Sequence, residues 1–134
     1  MHTSVTLKVI LIFAGLVGLL VGAGMLFAPV PFHASAGIVL DDSTNLLSEM
    51  RASGGVVLAS ALVILSGAFV ARLAFTATLI ATLMYLSYGV SRLISIAVDG
   101  MPDIAILQIA AAELVVGLIC GAALIGLLGY RFQD

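Results

Sequence analysis

One carboxylate, Glu113, sits inside the uncharged run AAAELVVGLICG, with no lysine or arginine within ten residues on either side. Arg92 is similarly isolated in GVSRLISIAV, and Arg51 opens an apolar run in EMRASGG. Ions in apolar surroundings have few options. They pair with one another, bind the polar head of a ligand, or hold a proton, because a lone charge in such a medium is costly. Two phenols, Tyr85 and Tyr88, precede Arg92 on the same stretch and can hydrogen-bond to such a group. A carboxylate beside phenols can also do acid–base work on a hydrophobic substrate. The candidate cluster is therefore Arg51, Arg92 and Glu113, with Tyr85 and Tyr88 bonding within it and Glu49 and Asp99 above it. It reads as a structural clamp that fixes helix register, or as a site for a polar head group or a proton.

The elements that carry these residues are apolar helices. Of 134 residues, 63% are hydrophobic and 9% are charged, against about a quarter charged in soluble domains. A chain so poor in charge suits a lipid bilayer as its solvent. Four segments, 9–28, 49–71, 73–97 and 103–130, each hold an apolar run near the length of about 20 residues that crosses a hydrocarbon core. None alternates like a barrel strand. The expected fold is all-α: one integral-membrane four-helix bundle, antiparallel and up-down, with an outer loop between helices one and two. Lys8, the first apolar run and Ala34-Ser35-Ala36 imitate a signal peptide, but the run exceeds an h-region, so the first segment is expected to be retained.

Basic residues orient the bundle. Lys8, Arg72 and Arg131 fall on one side, and Asp41, Asp42, Asp99 and Asp103 on the other. The positive-inside rule then puts both termini in the cytoplasm. Arg51 and Arg92 lie on the outer half against that rule, which suggests that partners hold them. Pro29 and Pro31 are expected to end helix one, Asp42 or Ser43 to cap helix two, and DGMPD to turn the chain between helices three and four.

The helices also show faces. Ala14, Gly18 and Gly22 form a small-residue stripe on the first, and Gly117 and Gly121 form another on the fourth, one turn from Glu113. Such stripes let a second helix approach closely, so Glu113 is expected to face protein. On the third helix Thr78, Ala81, Tyr85, Tyr88, Arg92, Ser95 and Asp99 recur at alternating spacings of three and four. That is one helical face, polar at all but one member, and it points into the bundle or a cavity. At about 1.5 Å per residue, Arg92 lies roughly 7–8 Å and Glu113 roughly 15 Å inside the outer boundary.

Other chemistry finds no support. No HExxH, GxSxG, Walker or GxGxxG motif occurs. His2 and His33 have no partner at ligand spacing, the methionines are scattered, and Cys120 stands alone among small apolar neighbours. No metal and no cofactor is expected. The net charge of −2 argues against nucleic acid.

EMRASGG (49–55), GVSRLISIAVDGMP (89–102) and AELVVG (112–117) resemble a family of small four-helix bacterial membrane proteins, domain of unknown function 4345. The matching positions are Arg51, Gly54, Gly55, Gly89, Arg92, Asp99, Gly100, Pro102, Glu113 and Leu114, while Ser53 stands where the family pattern has an aromatic residue. DoxX-like proteins are similar in architecture only. The resemblance implies a bacterial inner membrane and no particular activity. With Gly18, Gly22, Gly54, Gly55, Gly117 and Gly121 as packing residues, the leading expectation is a non-enzymatic accessory or assembly subunit that associates with other membrane chains, as homo- or hetero-oligomer. The alternative is a binder or carrier of an anionic lipid, a quinone or a proton-coupled solute at the Arg/Glu/Tyr cluster.

Overall fold

A computed structural model describes residues 3–132; His2 lies outside them. The described chain contains helices and no strand. Ser4 starts the first helix, α1 (Val5–Phe27), its hydroxyl accepting from Leu7 N at 3.2 Å. Pro29 and Pro31 end α1 as expected, but they also begin a short helix, α2 (Pro29–Ala34), that the sequence reading missed. Proline fits the first helical turn, where its missing N–H is no loss. His33, expected in a loop, lies in α2 and donates from Nδ1 to Pro29 O at 2.8 Å.

Ser43 caps α3 (Thr44–Phe69), accepting from Leu46 N at 3.3 Å, and Asp41 in turn accepts from Ser43 N at 2.8 Å. This cap starts α3 five residues before the expected span. Ser43→Ala should lower thermal stability by about 1 kcal/mol, the usual worth of an N-cap, measured by circular dichroism in detergent. A 3₁₀ turn, Ala71–Leu73, leads into α4 (Ala74–Asp99). Gly100, at φ +100°, stops α4 in a conformation that favours glycine. Asp103 begins α5 (Ile104–Arg131).

Four of these helices are long and apolar enough to cross a membrane. The shortest, α1, has 23 residues, or about 35 Å of helix against about 30 Å of hydrocarbon. Their neighbours in space show antiparallel packing. Gly15 meets Leu65, Gly18 meets Ala61, and Gly22 meets Leu58, so α1 and α3 run in opposite directions. Gly89 against Leu114 and Gly117 against Leu86 show the same for α4 and α5. Helix α3 joins the two pairs by packing on α4, and α3 and α5 do not meet.

The core gathers at the end of the bundle that carries the chain termini. Leu7, Leu11, Ile64, Ala68, Ala74, Ala77, Ala81 and Cys120 are buried there. Arg131 closes that end, its Cζ lying 4.8 Å from the Phe75 ring centroid, a cation–π contact between the last turn of α5 and the first of α4. Towards the opposite, distal end the burial of α4 fades after Gly89. Helix α5 presents most of its surface outward, as an edge helix does. The distal half is therefore where clefts can open.

Candidate functional site

The sequence places Arg92 and Glu113 in the outer halves of α4 and α5, and two interlocking contacts bring them together. Leu114 of α5 fills the space that a Cβ on Gly89 would need, and Leu86 of α4 does the same at Gly117. Each helix thus offers a notch to the other's leucine, three residues from its own. Arg92 lies one turn beyond Gly89, and Glu113 directly precedes Leu114. This register sets the two side chains face to face.

Their contact is a fork. Arg92 Nε donates to Glu113 Oε2 at 2.6 Å and Nη2 donates to Oε1 at 3.1 Å. Such bidentate, charge-assisted pairs fix orientation as well as charge. The Arg92 side chain retains 29% exposure and Glu113 only 15%. The pair is therefore a wall of the bundle that opens on one side.

It opens onto a cleft of about 230 Å³ between the distal halves of α4 and α5. Tyr88, Ser91, Arg92 and Ser95 supply its polar side, and Ile96, Pro102, Ile106 and Ala110 its apolar side. The turn at Gly100 brings Pro102 back over α4 and roofs the cleft. Pockets for whole drug-sized molecules usually hold 300–1,000 Å³. This one suits the end of a molecule, with the rest lying outside.

The expected cluster is thus only partly assembled. Arg92, Glu113 and Tyr88 come together. Arg51 does not join them, since α3 and α5 do not meet. Its Nη1 donates instead to Leu26 O, near the C-terminus of α1, where helix carbonyls lack intrahelical partners and carry partial negative charge. Tyr85 is also elsewhere. It is 6% exposed and donates to Ala14 O at 2.6 Å, tying α4 to α1 within the core. Asp99 accepts from Ser95 at 3.0 Å on the surface of α4, and Glu49 is exposed on α3. The polar face of α4 therefore divides in depth: its first half enters the core and its second half lines the cleft. Ser91, Ile96, Pro102, Ile106 and Ala110 were missed as cleft residues, and only Pro102 was marked in the sequence, by the DGMPD turn and the family resemblance.

The glycines also sort themselves. Gly18 and Gly22 contact Ala61 and Leu58, so the α1 stripe is engaged by α3 of the same chain. Gly54 contacts Leu26 and Met25. Gly121 is looser, with Thr82 3.5 Å from where its Cβ would lie, and Gly55 has no atom within 4 Å of such a Cβ. Gly55 is thus not a packing residue.

Four helices long and apolar enough to cross a membrane, packed around a small-residue core with an ion pair between two of them, make a helical bundle of the kind a multi-pass membrane protein has. Within that class the chain belongs to the family described as Domain of unknown function (DUF4345), whose model matches residues 6–124 and so spans α1 to α4 and most of α5. No curated protein and no solved structure matches it.

Proposed function

We propose that this protein sits in the cytoplasmic membrane of a bacterium, termini inward, and binds the uncharged, carbonyl-bearing end of a lipid-soluble molecule such as a quinone in the α4–α5 cleft. The observation that carries this reading is the forked Arg92–Glu113 pair beside Tyr88. The pair is neutral as a whole, which disfavours a charged ligand. Two guanidinium N–H groups serve Glu113, and the others remain as donors for an acceptor oxygen. Tyr88, Ser91 and Ser95 add hydroxyls. The small volume admits a ring or head group, and an isoprenoid or acyl tail would lie along the outer faces of α4 and α5.

Both oxygens of Glu113 are engaged by Arg92, which leaves it poorly placed as a general base. We therefore assign binding, not catalysis. The other expectation, an accessory subunit held by glycine stripes, loses its main support because the α1 stripe is engaged within the chain. Lys8, Arg72 and Arg131 at the terminal end support the orientation.

The test is decylubiquinone binding to the purified protein in nanodiscs. Saturable binding is expected, and Ser91→Leu, which narrows the mouth of the cleft without touching the ion pair, should weaken it at least tenfold. Absence of saturable binding, or equal binding by Ser91→Leu, would overturn the proposal.

A further inference from the structure

Arg51 presents a different problem from Arg92. Its guanidinium is held in place by Leu26 O, but a carbonyl carries no full charge to balance it. The one salt bridge recorded among the described residues joins Arg92 to Glu113. Arg51 thus offers a fixed, uncompensated cation with N–H groups to spare.

Its level in the bundle says what could balance it. Counted from Phe69 at the other end of α3, Arg51 stands about 27 Å along the helix axis at about 1.5 Å per residue. A hydrocarbon core is about 30 Å thick. With Phe69 at one boundary, the guanidinium would stand at the other, where lipid phosphates gather.

The surroundings have the matching gradient. Thr44, Ser48, Arg51 and Gly55 follow one another along one face of α3 and, with Leu26 and Leu47, line an open groove of about 700 Å³. Going into the membrane, this face reads hydroxyl, hydroxyl, cation, then a bare trough. The trough exists because Gly55 carries no side chain and nothing stands within 4 Å of where one would begin. Glu49 lies two residues before Arg51, well round the helix from this face.

We propose that this groove seats one anionic phospholipid, its phosphodiester on Arg51 with the Thr44 and Ser48 hydroxyls, and an acyl chain over Gly55 beside Leu26. Charge complementarity selects the occupant: the cation is unpaired, whereas the cleft at Arg92 is already neutral. The site is separate from that cleft and does not depend on what the cleft binds.

The experiment is native mass spectrometry of the full chain from micelles containing equal amounts of a phosphatidylglycerol and a phosphatidylcholine with the same acyl chains. One phosphatidylglycerol per chain should be retained preferentially. Arg51→Gln should reduce its retention about tenfold. That variant also releases Leu26 O and could disturb α1, so Gly55→Leu provides the second arm. It fills the trough with a good helix former, keeps Arg51, and should reduce retention to a similar degree. Ser91→Leu should leave it unchanged. Equal retention of the two lipids, or undiminished retention of phosphatidylglycerol in Gly55→Leu, would overturn the site. Displacement of the lipid by millimolar inorganic phosphate would show a simple anion site in its place and would equally overturn a lipid seat.

Discussion

Arg92→Met alone should destabilise the bundle by about 3 kcal/mol, whereas Arg92→Met combined with Glu113→Leu should return it to within about 1 kcal/mol of the native chain. Breaking a buried pair typically costs about 3–5 kcal/mol, because one charge is left without its partner, while replacing both members with apolar groups is often neutral. The lower end applies here because both side chains keep some access to the cleft. The two single variants should also differ. Without Arg92, the acid remains in a wall where it is only 15% exposed. Without Glu113, the arginine can swing its long stem towards the cleft and water, so Glu113→Leu should cost less, about 2 kcal/mol. Reversible unfolding in mixed micelles measures all three. If the double variant is as unstable as Arg92→Met, the pair contributes shape that two apolar side chains cannot replace, and the charge argument fails. If it is stable but no longer binds decylubiquinone, the pair is a recognition element and not a clamp. The double variant thus separates the two roles that the sequence left open for Arg92 and Glu113.

The helices themselves were legible in the sequence, and azimuth between them was not. Four apolar runs give four helices, because length and hydropathy are local properties. The face from Thr78 to Asp99 was equally legible, since spacing alone determines which residues share a side. Whether Arg51 could reach Glu113 depends instead on which helices are neighbours. Arg51 and Glu113 both belong to the distal half of the bundle, but α3 and α5 lie apart, and no periodicity within either helix encodes that separation. The Gly18–Gly22 stripe is a similar case. It announces a close helix approach without saying whether the visitor belongs to the same chain. The short α2 was hidden because proline is both a stop signal and a good first residue of a helix. The two arginines, once placed, prove to use one device. Gly54 follows Arg51 and Gly89 precedes Arg92 by three residues, so each glycine shares a face with its arginine and lets a neighbouring helix come within the arginine's reach.

That device makes Gly54 and its neighbour Gly55 respond in opposite senses to the same change. A Cβ on Gly54 would lie 2.6 Å from Leu26 N and 2.7 Å from Met25 Cβ. The nearest atom belongs to the backbone, which cannot rotate away, so α1 and α3 must part. Overpacking of this kind costs about 1–3 kcal/mol. Moving α1 also draws Leu26 O away from Arg51 and weakens a hydrogen bond from a charged donor, itself worth about 1.5–3 kcal/mol. Alanine's better helix propensity offsets only about 1 kcal/mol. Gly54→Ala should therefore lose about 2 kcal/mol net. At Gly55 the same Cβ meets nothing within 4 Å, so only the propensity remains and Gly55→Ala should be neutral or gain up to about 1 kcal/mol. Unfolding midpoints of the two variants in one detergent give the comparison directly. Equal losses would mean that both glycines serve α3 through backbone flexibility alone. Opposite signs would mean that Gly54 holds α1 close enough for Arg51 to reach it, while Gly55 keeps a groove open.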